Sequence, residues 1–424
     1  MDSRGAGHNI LIVIILFGIM IVYTLPVMGQ IYGCTDPQAT NYDPAASLND
    51  GSCLYDPTSL DTPVFMSLPG LVNETSGLIF WNEGLWTHND SGGDAAIYKI
   101  DTATGEIIQW VFIDNADNTD WEDIDQDEYN IYIGDFGNNS GSRQDLHILV
   151  ISKEDILTSL TDTIYVNANV IWFSFADQQV FTPNHNNHNY DCEAMISVGD
   201  SLYLFSKNWL NKYSRIYRVP KIPGTYQAEV LDSLNAGCLV NGASCYPETG
   251  FIALTGYSTF IPMFWMLWDY QGTDFLSGNK RLITMPYILG AQTEGACVIS
   301  QDGILISAEA SQFFNQQVYY AEYGQYTGNY TGNVESAIKD IDIQITPNPV
   351  NNRIIIEIPD ARGFEPEVSI LNQVGSPCDV LYSIFTKTGN GYRIIVDADQ
   401  LKDGFYAVKV GCGPIVKTGK LIKN

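Results

Sequence analysis

The feature that most restricts this chain is an internal repeat. Five mutually similar segments lie between residues 61 and 330 and begin at Glu74, Glu122, Glu193, Asn241 and Glu294, in steps of 48, 71, 48 and 53 residues. Each opens on a short motif, such as Glu74-Thr-Ser-Gly-Leu, Asn241-Gly-Ala-Ser or Glu294-Gly-Ala-Cys, and passes through a turn into an apolar strand at 85–87, 131–133, 202–205, 251–254 or 304–306. A period of about 40–50 residues with four short strands is the unit of a propeller blade. The expectation is an all-β chain with a five- or six-bladed β-propeller over residues 60–330. The 71-residue step leaves room for a sixth blade, and the strand at 64–68 is placed to complete the last one. A pair of β-sandwiches is the alternative.

Composition agrees with sheets and excludes a disordered polyelectrolyte: 45% hydrophobic, 12% aromatic and 17% charged residues. Asp and Glu outnumber Lys and Arg by 49 to 21, a formal charge of −28. A phosphate backbone would be repelled, so nucleic acid is not an expected partner. The acidity serves solubility or cation binding.

Residues 1–29 read as a signal peptide. The apolar run 10–23 is shorter than the roughly 20 residues that span a bilayer; an uncleaved anchor is the alternative. Export makes disulfides the default for the eight cysteines. Cys34 with Cys53 and Cys378 with Cys412 are the plausible pairs. Cys238 with Cys245 is a looser one, and Cys192 with Cys297 follows by elimination.

Residues 30–56 have almost no core-forming side chains. A Cys34–Cys53 bridge would order them, contributing roughly 3 kcal/mol. Asp36, Asn41, Asp43, Asn49 and Asp50 are either oxygen ligands for a hard cation such as calcium or turn-makers beside Pro and Gly. The pattern Gly33-Cys-Thr-Asp-Pro through Asp50-Gly-Ser-Cys53 resembles a cysteine-bounded repeat of exported bacterial proteins.

After a linker at 331–341, residues 342–424 alternate in period two and predict a small β-sandwich, with strands at 353–358, 367–371, 392–396 and 405–410. Pro347-Asn348-Pro349, Ser369-Ile-Leu-Asn-Gln-Val-Gly375, Leu401-Lys-Asp-Gly404-Phe-Tyr406 and Lys420-Leu-Ile-Lys423-Asn424 closely resemble the type A C-terminal sorting domain of the type IX secretion system. That resemblance implies passage through both membranes, with residues 342–424 engaging the secretion machinery, followed by release or fixation at the surface.

In a propeller the first strand of each blade lines the central channel, so Glu74, Glu122, Glu193 and Glu294, with Asn241 in the fifth register, would converge. Such carboxylates need a counter-charge, from calcium, magnesium or Lys207. Otherwise they hydrogen-bond the neighbouring blade, or keep raised pKa values and act as acid or base. His88, Asp90, Asp135, Lys207 and Glu309 lie near strand ends at one mouth and are ligand candidates. The acidic run 114–128 offers hard oxygen ligands without the EF-hand order, and solvation of a surface loop is the expected account. The blade-start motifs also look like a phytase-like or esterase-like propeller group, which would imply calcium in an acidic channel and phosphoester hydrolysis, although the basic cluster for gripping phosphate is missing. The expected function is an exported, calcium-stabilised propeller that binds an extracellular ligand. A metal-dependent phosphoester or ester hydrolase and an adhesive surface protein are the alternatives.

Overall fold

The computed structural model describes residues 30–159, 161–312, 314–328, 343–359, 366–372, 378, 380–388, 391–412 and 415–423. The expected signal peptide and linker lie outside them.

The repeats form five antiparallel blades. Blade one holds Thr75–Trp81, Gly84–Asn89, Ala96–Ile100 and Ile107–Ile113; blade two holds Trp121–Gln126, Asn130–Asp135, His147–Ser152 and Asn169–Phe175. Blade three is Asp191–Val198, Ser201–Lys207, Tyr213–Pro220 and Gly224–Asn235, and blade four is Leu239–Tyr246, Phe251–Ser258, Ile261–Trp268 and Asn279–Thr284. Blade five takes Thr293–Val298, Gly303–Ala308 and Gln317–Glu322 from one end of the ring and Val64–Ser67 from the other, in the register Met66↔Val318. The five first strands pack on one another in a closed cycle, one to two to three to four to five and back to one. The fold is therefore a five-bladed β-propeller, closed by a strand that precedes the first blade.

The 71-residue step holds no sixth blade. Its extra length goes into the helix Lys153–Leu157, the strand Thr163–Val166, which pads blade one in parallel with Ile107–Ile113, and the loop that precedes Asp191. The outer strands of blades two and three also pair in parallel, Ile171↔Gly224 to Phe175↔Ala228, fusing them into one eight-stranded sheet.

Burial follows the strand period. Leu78, Trp86, Ile124, Ile133, Met195, Leu204, Leu254, Phe264, Ile304 and Ile306 lie fully inside between blades, each contributing about 1.5–3 kcal/mol of transfer free energy. Blades stack this closely because small residues sit at their inner edges. A Cβ on Gly242 would collide with the Glu294 carbonyl oxygen of the next blade.

The Cys34–Cys53 bridge is present, with its Cα atoms 4.8 Å apart. The segment it closes is docked on blade four. Lys280 donates to the Gly51 carbonyl at 2.8 Å, Asn49 donates to Asn279 at 2.8 Å, and the Arg281 guanidinium lies between the Tyr55 and Tyr326 rings.

Among the described residues no second bridge is formed. Cys192, Cys238, Cys245, Cys297 and Cys378 are free. Cys238 lies in the bend just before the extended strand Leu239–Tyr246 and Cys245 next to its far end, and Cys192 and Cys297 are core residues of different blades. The Cys378 N–H bonds the Ile370 carbonyl, and Ile370 pairs with Val408, four residues from Cys412. The Cys412 side chain lies outside the described residues.

Residues 344–423 form two facing sheets, one of four strands and one of three. Ile354, Ile356, Ile358, Ile394, Val396, Val408, Val410 and Leu421 lie between them. The four strands foreseen are present, joined by Leu381–Thr388 and Ile415–Lys423, which the alternation did not reveal.

Candidate functional site

Every inner strand carries a bulge at the same place. Pairing skips Glu122 between Trp121 and Asp123, Glu193 between Cys192 and Ala194, and Asn241 between Val240 and Gly242; in blades five and one it skips Glu294-Gly295 and Ser76-Gly77. A bulge re-aims its side chain, and here it places one polar residue per blade at the same end of the ring. Glu74 is not in this register. It stands two residues earlier, exposed at the rim, and Ser76 takes the inner place.

The five register positions do different things. Ser76 donates to the Glu122 carbonyl at 2.6 Å and Asn241 Nδ2 donates to the Thr293 carbonyl, so both tie their blade to the next. Glu193 accepts from Lys207 at 2.5 Å, in a buried pair with the ammonium over the Trp209 and Tyr257 rings. Burial opposes the Lys207 charge, but Glu193 together with Glu294, Tyr257 and Asp191 outweighs it and holds the ammonium well above its ordinary pKa. Burial pushes Glu294 up to about 8 and raises Glu122 well above the usual carboxylate range. The four glutamates thus do not form a ring around one ion.

Glu122 instead meets Asp90 and Asp120. Ligand oxygens of the three lie within 4.8 Å of one another, between the end of Gly84–Asn89 in blade one and the start of Trp121–Gln126 in blade two. Burial raises Asp90 to about 7 and Asp120 to about 6. Glu309 rises to about 7 by burial and the nearby Glu74, and accepts from Gln292 at 2.5 Å.

His88 and Asp90 do not act together. Alternation turns His88 inward against Trp121, fully buried, with Nδ1 at 3.0 Å from the Asn89 carbonyl, and burial lowers it to about 4. Asp135 is buried and committed to Arg143 at 2.7 Å and to the Thr119 N–H at 3.2 Å.

The run 114–128 is not a solvated loop throughout. Its second half is the inner strand of blade two, and Asp123 and Asp125 are buried. Asp123 Oδ2 accepts the N–H groups of Met195 at 2.7 Å and Ala243 at 3.2 Å, joining blade two to blades three and four across the channel. Asp120 and Asp123 stood in that acidic run as possible oxygen ligands but were not singled out, because spacing alone does not tell a loop from a channel strand.

In the N-terminal segment the acidic side chains stand apart. Asp36 accepts from the Gln38 N–H and Tyr55, Asp43 from the Ala45 N–H, and Asp50 from the Ser52 N–H.

Residues 344–424 match the family described as Secretion system C-terminal sorting domain. The protein is exported. Type IX secretion carries it to the cell surface or the extracellular space, and the sorting domain is the part that engages the secretion machinery. Among curated proteins, a chloroplastic ribulose bisphosphate carboxylase/oxygenase activase 1 of Larrea tridentata is 78% identical over 23 residues, 5% of each chain. Among solved structures, a GH43_1 enzyme from Xanthomonas citri aligns with 62% of this chain and 90% of its own at 11% identity and a TM-score of 0.36. A chain of a mitotic checkpoint complex aligns over 58% of this chain and 61% of its own, at 13% identity and a TM-score of 0.28. Oligopeptidase B from Leishmania major aligns over 81% and 46%, at 9% identity and 0.24. Scores this low carry no argument about activity; the ring rests on its own strand pairing.

Proposed function

We propose that this exported chain is a calcium-stabilised, ligand-binding propeller whose acidic mouth is the binding surface. The observation that supports this is a charge imbalance. Glu74, Asp90, Asp120, Glu122, Asp191, Glu294 and Glu309 gather around the ends of the first two strands of the blades, while the cations there are committed, Lys207 to Glu193 and Arg143 to Asp135 and Asp145. Such a mouth repels phosphorylated and other anionic ligands and favours neutral polyhydroxyl or cationic ones. Trp209, held by its Nε1–H on Asp191 at 2.8 Å, offers an aromatic face beside it. Thermal melting of the full chain against neutral oligosaccharides, polyamines and phosphorylated compounds tests the reading. Upward shifts confined to the first two classes are expected, and a shift with phosphorylated compounds alone would contradict it.

A hydrolase is the second reading, favoured by Glu294 and Glu309, which hold protons near neutral pH and suit general acid work on an uncharged ester or glycoside. It predicts turnover that is lost in Glu294→Gln without loss of fold. The adhesive reading has less support, because the cysteine-bounded segment is packed against blade four.

A further inference from the structure

We propose that Asp90, Asp120 and Glu122 form the seat of one hard divalent cation of the calcium class, at the mouth between blades one and two. This deepens the calcium-stabilised part of the reading above by giving the ion its own ligands, away from the channel axis and from the N-terminal segment. Two oxygens bound to one calcium ion at 2.3–2.6 Å stand no more than about 5 Å apart. The three carboxylates meet that limit, within 4.8 Å of one another.

An acidic cluster alone would say little; what sets this one apart is the lack of donors. Glu122 is only 5% exposed, yet among the described residues nothing donates to its carboxylate, and the charges that act most strongly on it are Glu193, Asp90, Asp120 and Asp191. Asp90 Oδ1 is likewise buried without a partner. Buried carboxylates elsewhere in the ring are satisfied: Asp123 accepts three N–H groups, and Asp191 accepts from Asn138 and Trp209. A largely buried carboxylate left without donors is costly unless a cation completes it.

The backbone also makes way for this group. A Cβ on Gly137 would strike Glu122 Oε1 and stand 2.5 Å from Asp120 Oδ2. Oxygen ligands without His or Cys suit calcium rather than zinc or copper. An ion with about six to eight ligands keeps positions for water or for oxygens of a ligand in the mouth.

Terbium, a luminescent substitute for calcium, tests the seat on the full chain stripped of metal. Trp121 adjoins Glu122 and serves as the sensitiser. Sensitised emission displaced by calcium is expected, with affinity reduced about 10-fold or more in Glu122→Gln and in Asp120→Asn. Asp43→Asn, in the N-terminal segment, should stay within about 2-fold. Both mouth variants remove charge from a repulsive group, so their metal-free melting temperatures should equal or exceed wild type, which separates lost binding from lost fold. Absent terbium and calcium binding, emission that survives Glu122→Gln, or emission lost in Asp43→Asn would overturn the seat. None of these outcomes touches the ligand-binding reading, which the melting panel tests separately.

Discussion

The N-terminal segment and the propeller mouth are both rich in acidic side chains, and their chemistry is opposite. Asp36, Asp43 and Asp50 each turn back to an N–H two residues on, at 2.9, 2.9 and 3.0 Å. Asp90, Asp120 and Glu122 come from two blades and face one another without donors among the described residues. Local turns satisfy a carboxylate with its own backbone; tertiary convergence leaves it to find a counter-charge. The density of acids in a sequence therefore says less about a cation site than the supply of N–H groups around each one.

The sharpest way to break this contrast is to remove the compensated Lys207–Glu193 pair. Lys207→Met leaves Glu193 buried and unpaired and should cost about 3–5 kcal/mol in urea unfolding. Adding Glu193→Gln should restore most of that loss. If the double variant is no better than the single one, the pair is not a unit.

Opening the bridge with Cys34→Ser and Cys53→Ser should cost about 3 kcal/mol or less and expose residues 30–56 to protease. Melting of the ring should also fall, because Lys280, Arg281 and Trp268 lose partners in this segment. An unchanged ring would mean that the segment only rests on blade four.

Asp125 supplies a pH test away from the cation seat. Burial raises it to about 7 from 3.8, so the folded state binds the extra proton between these values. Its cost to stability is absent below about pH 4, grows as pH rises and is complete above about pH 7. Asp125→Asn should match wild type near pH 4 and exceed it near pH 8, by an amount of the order of 4 kcal/mol. An equal difference at both pH values would contradict the shift. At the small end, Asp43→Ala should cost only about 0.5–1.5 kcal/mol, the worth of one turn bond, and should leave calcium affinity unchanged.

Much of the ring was legible in the sequence, because each blade restates its bulge and second strand. The error at Glu74 came from aligning glutamates. Aligning Gly77 with Gly242 and Gly295, which the close approach of inner strands demands, puts Ser76 in the register. Blade number stayed open because the helix and padding strand of the long step do not repeat. The expectation of disulfides from export failed where Cys192 and Cys297 serve as small buried residues between blades. Asp120 was hidden in a run whose first half is loop and second half strand, and its meeting with Asp90 is tertiary.

The most direct test of the account is the melting temperature of the full chain, wild type and Glu122→Gln, in saturating calcium and in excess chelator. Calcium at about 100 times its dissociation constant adds about 2.7 kcal/mol, so the account predicts a rise of roughly 5 °C or more in wild type, with almost none in the variant. A wild type indifferent to calcium, or a variant that responds as fully, would contradict it.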